Sequence, residues 1–229
     1  MKSEGACVVN QLDFDGLLTF WQQRSGDILD MAFQHIAVVA VALMIAVVIG
    51  VGVGMLVWDR PVPRSAVIAS AGVALTIPSL ALLAILVPAF GLGWVPTLIA
   101  LVLYSLLPIV RNTVVGLRAV PPAVMESAKG MGMNPLGVLV GVQLPMAWPI
   151  ILTGVRVAAQ LTIGTAAIAA YVAGPGLGQY IFKGLASLGS KNALNLALTG
   201  TIGIVILALI VDAIFVFIAR YTTSRGLRA

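Results

Sequence analysis

The sequence predicts an all-α integral membrane protein with five transmembrane helices, its N-terminus outside and its C-terminus inside. Three observations carry this. Of 229 residues, 60% are hydrophobic and 9% charged, with a mean hydropathy of +1.09; soluble chains average roughly 25% charged. Five stretches approach the roughly 20 apolar residues that a helix needs to cross a hydrocarbon core about 30 Å thick. The basic residues, finally, gather on one side of those stretches. A surface this poor in charge does not stay dissolved, which excludes a cytoplasmic enzyme and a nucleic-acid binder.

At the N-terminus, residues 1–30 hold no apolar core ahead of a small-residue cleavage site, so no cleavable signal peptide is expected. Cys7, the single cysteine, has no hydrophobic stretch before it to suggest a lipid anchor, and no partner for an intrachain disulfide. Leu17, Trp21, Ile28 and Met31 or Ala32 recur at near-helical spacing, with Arg24 and Asp27 between them. That pattern predicts an amphipathic helix over 17–33 lying on the outer interface, broken in two at Ser25–Gly26–Asp27. A disordered leader remains the alternative before residue 16. The expected organisation is an extracytoplasmic segment (1–34), a transmembrane domain (35–219) and a short basic cytoplasmic tail (220–229).

The spans are expected at about 35–58, 65–87, 94–110, 147–172 and 192–219. Gly50, Gly52 and Gly54 in the first suit close helix contact. Trp94 and Pro96 open the third as an aromatic anchor and a helix-start proline. Arg60, Arg64, Arg111, Arg118, Lys129, Arg220, Arg225 and Arg228 fall on one face. The other has Lys2, Arg24, Lys183 and Lys191, diluted by Glu4, Asp13, Asp15, Asp27 and Asp30. The more basic face is cytoplasmic, which demands an odd number of crossings. A six-span rival, dividing 135–154 from 155–172, throws the basic C-terminus outside and puts Pro145 and Pro149 inside a helix.

Between the third and fourth spans lies the longest cytoplasmic connection, 112–145. Pro121 and Pro122 suit a helix start, 123–131 has good helix formers, and Gly132, Asn134 and Pro135 are stop signals. Met125, Ala128, Met131 and Met133 on or beside that helix give an adaptable apolar face, which suits docking in a partner's groove. Packing of the loop against its own bundle is the alternative.

The residues of this loop also carry a resemblance. Glu126–Ser127–Ala128, then Gly132 after three residues, then Val142-x-Leu144–Pro145 after nine, resembles the Glu-Ala-Ala motif of permease subunits in binding-protein-dependent ABC importers. Every spacing is kept; Ser127 stands for Ala and Val142 for Ile. The resemblance runs from about residue 17 to the end. It implies the type I importer permease fold, with a coupling helix containing Glu126 presented to a separate ATPase subunit. Glu126, Ser127, Ala128, Gly132, Met125, Met131, Leu144 and Pro145 are then the ATPase-coupling residues. A second permease subunit, identical or related, and an extracytoplasmic solute-binding protein complete the implied assembly within the lipid bilayer of the plasma (inner) membrane.

No cofactor is expected in this chain. ATP and Mg would sit on the partner ATPase, since no Gly-x4-Gly-Lys-(Ser/Thr) loop occurs here. Gly174-x-Gly176-x-Gly178 lacks the βαβ context of a nucleotide fingerprint and is expected to be a flexible external turn. Thr76–Ile77–Pro78–Ser79, Gly154-x-Arg156, Thr162–Ile163–Gly164–Thr165 and Gly174–Pro175–Gly176–Leu177–Gly178 are similar to the osmoprotectant branch, which imports glycine betaine, choline, carnitine or proline. Another small solute, such as methionine or another amino acid, is the alternative within transport. An ATP-independent channel or a structural subunit of a membrane complex is the alternative outside it.

Individual residues sharpen the expectations. Arg156 and Asp212 stand within spans, each roughly 12–14 Å deep at 1.5 Å per residue, and charges at that depth pair or face a cavity. A structural ion pair joining spans four and five is expected; a place on the solute route is its rival. Thr76, Pro78, Ser79, Thr162 and Thr165 are candidates for lining the path, because prolines at positions such as Pro78 and Pro88 free carbonyls toward a passage. Tyr171 and Tyr180 flank the external glycine turn, where a delivering binding protein would arrive. His35 is the only histidine, so no metal site is expected, and its ring is placed at the outer interface. Four Trp, four Tyr and seven Phe, mostly near span ends, point to a selective aromatic cage on another chain.

Overall fold

The computed structural model describes residues 14–190 and 192–222. The expectations on Lys2, Glu4, Cys7, Asp13, Lys191, Arg225 and Arg228, and on the tail beyond residue 222, lie outside the described residues.

The described chain is helical throughout. Helix α1 (Phe14–Gln23) turns at Arg24 into α2 (Ser25–Val57), whose 33 residues are too long for one straight crossing at 1.5 Å per residue. The break at Ser25 is present, and the segment after it is not a separate helix but runs on without interruption into the first span. The expected boundary at 34/35 falls inside α2. Asp27 in its first turn favours the helix start through the backbone dipole.

The second expected span is two helices, α3 (Pro61–Thr76) and α4 (Ser79–Phe90), meeting at 93°. Pro78 explains the corner. A residue before proline is pushed out of the helical region, and Ile77 is extended at φ −67°, ψ 126°. The carbonyls left over at the corner find hydroxyls: Thr76 Oγ1 donates to Val73 O at 2.7 Å, and the buried Tyr104 hydroxyl donates to Ile77 O at 2.6 Å.

Helix α5 (Trp94–Arg118) is the axis of the bundle, with thirteen buried residues, and it continues eight residues past the expected end at 110. Glycines on both neighbours let it approach closely. A Cβ on Gly50 would lie 2.7 Å from Ile109 Cγ2, one on Gly54 2.6 Å from Thr113 Cγ2, and one on Gly154 2.6 Å from Pro108 O. Gly52, between the first two, meets nothing within 4 Å.

These contacts also fix direction. Position 50 pairs with 109 and 54 with 113, so α2 and α5 run parallel. The chain must recross the membrane between them, and only the α3–α4 pair is there to do it. Beyond α5, α6 (Pro122–Gly130) is short and leads to α7 (Pro135–Val138), a π turn (Leu139–Gln143) and α8 (Leu144–Ala169). Gly116 lies against Ala147 and Gly154 against Asn112, so α8 is antiparallel to α5. Helix α9 (Gly178–Ala186) packs on α10 (Ala193–Thr222). That last helix is antiparallel to α8, since Trp148 bonds Thr222 and Arg156 bonds Asp212. Five crossings result, and α2, α5 and α10 all end on the basic face.

Residues 135–172 form one continuous helical run of 38 residues, which excludes the six-span rival. Its prolines are accommodated in place, contrary to the expectation that Pro145 and Pro149 resist a helix. Leu144 N–H bonds back five residues to Leu139 O, and this wide turn falls where Pro145 supplies no N–H.

Candidate functional site

Helix α6 stands on the basic face, outside the bundle. Pro122 occupies its first turn, where a missing N–H costs nothing. Gly132 ends it with φ +82°, a conformation that costs an L side chain roughly 1–2 kcal/mol. Gly132 N–H then bonds Lys129 O at 2.9 Å and Met133 N–H bonds Ala128 O at 3.2 Å. The glycine of the motif is thus the helix stop. Asn134 next accepts a 2.6 Å bond from Gly137 N–H and caps α7.

The helix has three faces. Ala128 is buried against the bundle; Glu126 and Ser127 are exposed; Met125 and Lys129, one turn apart, flank a cleft beside the end of α2. Met131 is 76% exposed just past the end. The expected coupling residues accordingly divide. Glu126, Ser127 and Met131 are open to a partner, while Ala128 seats the helix and Met125 turns aside. Leu144 packs on the core cluster around Ile109, Leu117 and Ala147, and Pro145 is exposed at the start of α8.

Gln143 was no sequence candidate, yet it ties the site together. It is 2% exposed, and its Nε2 donates to Leu117 O at 2.8 Å, locking the π turn to the last turns of α5. Its Oε1 is buried without a partner among the described residues. The available signal was a lone amide within the apolar run 138–144.

Within the membrane, Arg156 and Asp212 form a two-pronged pair: Nε donates to Oδ1 and Nη2 to Oδ2, both at 2.7 Å. Gln160 Nε2 adds a 3.2 Å bond to Asp212 Oδ1. The side chains remain 42% and 34% exposed, so the pair lies along one edge of the α8–α10 contact.

The path candidates do not converge. Thr76 and Pro78 are exposed at the corner and Ser79 half-buried. Thr162 is fully buried with its hydroxyl turned back on Ala158 O and Ala159 O, at 2.8 and 2.9 Å. A hydroxyl in apolar surroundings satisfies itself on its own helix in this way. Thr165 likewise donates to Leu161 O at 2.8 Å. Pro88 lies inside α4.

The external glycine segment is a packed plug, which corrects the flexible turn expected there. Residues 174–178 are buried; Gly176, at φ +110°, lies so close to His35 that a Cβ would meet its Nδ1 at 2.7 Å, and one on Gly178 would strike Ala167 O. His35 is itself fully buried, with Nε2 3.2 Å from Ile163 O, and so is displaced inward from the interface position expected. Tyr180 is buried with Phe20 and Leu177, which removes it from the outer surface, whereas Tyr171 is 69% exposed beside Phe182. Among the described residues no three His, Cys, Asp or Glu side chains gather as a metal site.

Residues 46–223 match the family model described as the binding-protein-dependent transport system inner membrane component. The chain is 34% identical over 212 residues to the choline transport system permease protein OpuBB of Bacillus subtilis, covering 93% of this chain and 96% of that one. It is 37% identical over 198 residues to the carnitine transport permease protein OpuCB of Listeria monocytogenes (86% and 89% covered). To the osmoprotectant import permease protein OsmW of Salmonella typhimurium it is 36% identical over 210 residues (90% and 96%). Among solved structures, an inward-facing form of the MetNI methionine ABC transporter superposes with a TM-score of 0.75, at 22% identity, over 86% of this chain and 96% of that one. This last likeness shows the fold.

Proposed function

The chain belongs to the family of binding-protein-dependent transport system inner membrane components, and from that premise we propose that its solutes are quaternary ammonium osmoprotectants of the glycine betaine, choline and carnitine kind. Membership makes it a non-catalytic, multi-pass permease subunit of an ABC importer, with ATP hydrolysis on a separate chain. The solute class rests on relatives named for choline, carnitine and osmoprotectant transport that align over about 90% of both chains.

Mechanically, the carrying observation is α6, a short helix set outside the bundle with Glu126 and Ser127 exposed and Ala128 seated. An ATPase subunit holding that exposed face would move α6 when it binds ATP. Gln143 and Leu144 would pass the movement to the cytoplasmic ends of α5 and α8. The surface left for a second permease subunit is ample: α3 has no buried residue, and only 6% of the residues in the most apolar stretch of α10 are buried. Alternating access then follows from rocking of the paired bundles about a central route, with the Pro78 corner lining it.

The test is uptake of radiolabelled glycine betaine, choline and carnitine in cells lacking their own systems. This chain would be co-expressed with its ATPase, binding protein and companion permease. Uptake abolished by Glu126→Lys supports the reading; uptake of methionine with none of the three would overturn the solute class.

A further inference from the structure

We propose that the cleft between α6 and the end of α2 binds one anionic phospholipid of the cytoplasmic leaflet, phosphatidylglycerol in kind. The cleft has a volume of about 500 Å³, within the ~300–1,000 Å³ range of small-molecule sites. Its chemistry changes with depth. Met55 and Leu56 line it at the membrane side, and Leu56 is 75% exposed on a face that hydrocarbon must cover. Trp58 follows, the residue type that settles at the headgroup level. Arg60 and Lys129 line its outer part with Asp59 as the one opposing charge. Helix α2 ends at Val57, and Trp58, Asp59 and Arg60 follow as a turn just beyond the apolar stretch, where a phospholipid passes from acyl chain to phosphate.

The two cations are available. The side chains of Asp59, Arg60 and Lys129 make no ion pair or hydrogen bond with described residues, while Arg64 is already spent, its Nη1 donating to Trp58 O at 3.1 Å. Anionic lipid is drawn to unpaired basic residues at the cytoplasmic surface. A protein partner arriving from water would instead meet the far side of α6 at the exposed Ser127, with Glu126 about a quarter-turn from the cleft. A lipid seated here would bridge the first span and the docking helix, so the charge of the leaflet would bear on how firmly α6 is held. The inference rests on the importer reading only in taking the basic face as cytoplasmic.

The experiment is native mass spectrometry of the assembled importer released from nanodiscs of equal phosphatidylglycerol and phosphatidylethanolamine. It reads retained lipid and needs no transport, so it fails separately from the solute assignment. Wild type should retain phosphatidylglycerol preferentially, and R60Q/K129Q should lower that preference by about tenfold or more, as expected for two membrane-proximal cations. R111Q, which removes an exposed arginine outside the cleft, should leave it unchanged. L136W, which fills the cleft from its rim without altering charge, should act like the double variant and carries the test should that variant not assemble. Equal retention of the two lipids by wild type, equal loss in R111Q, or displacement by inorganic phosphate alone would each overturn the proposal.

Discussion

Tyr104→Phe isolates the bond that holds the broken span. The substitution removes one oxygen from a side chain that is 4% exposed and changes nothing else in the packing of Leu82, Leu83, Ala169 and Val172 around it. What is lost is the 2.6 Å bond to Ile77 O. That carbonyl precedes Pro78 at a helix end and has no intrahelical donor. Losing a part-buried hydrogen bond of this kind costs about 0.5–1.5 kcal/mol, which for a chain of this size lowers the melting temperature by roughly 2–4 °C per kcal/mol. The assay is thermal unfolding of the purified importer in detergent, with initial uptake rate measured on the same preparations. The bond exists because proline breaks the turn, so the same change made in a Pro78→Ala background should cost clearly less. A melting shift below about 1 °C for Tyr104→Phe would refute the role of the hydroxyl; an equal loss in both backgrounds would refute its link to the corner.

Glu126→Lys, on the exposed face of α6, should leave the permease folded and abolish recovery of the ATPase in a mild-detergent pull-down; undiminished recovery would dismiss that face as the docking surface. Gly154→Val drives a side chain against Pro108 O and Asn112 Cβ, 2.6 and 2.5 Å from the position of a Cβ. Overpacking of this kind costs about 1–3 kcal/mol, so the purified protein should melt several degrees lower. Gly132→Val meets open space but a φ of +82°, and should cost roughly 1–2 kcal/mol while weakening ATPase recovery more than folding. Arg156→Gln and Asp212→Asn should each reduce the yield of folded protein, and the double variant should lose less than the two effects combined; additive losses would mean the pair adds nothing beyond its members.

Much of the fold was legible because lipid simplifies the code. Span positions follow from apolar length, and the direction of each crossing follows from where the arginines fall. Even so, the charge rule places ends only within a helix's reach: Arg111 and Arg118 read as loop residues yet sit on α5, because helical backbone continues into the interface wherever no proline or glycine stops it. The corner at Pro78 was visible as a proline in an apolar run, but its 93° angle was not, since the angle depends on Tyr104, 26 positions away. Pro145 misled in the other direction: a π turn, which leaves no composition signature, makes it harmless. The docking helix was read from motif spacing, and Gly132 now has a physical reason for its place. The glycines at 174–178 were misjudged, and the burial of Thr162 went unseen, for a common reason. Small and hydroxyl residues look polar or flexible in a string of letters, and only their neighbours reveal that they are packed.

The broken second crossing has a consequence for how the chain enters the membrane during synthesis. At 1.5 Å per residue, α3 and α4 are about 24 and 18 Å long, and neither alone reaches across a core of about 30 Å. The tyrosine that closes their corner lies on the following helix, so it emerges from the ribosome after both. Insertion of residues 61–90 is then completed by a later segment, in the manner of a keystone. A nascent chain stalled before Tyr104 clears the ribosome should leave that stretch open to protease, and one stalled after α5 has emerged should protect it.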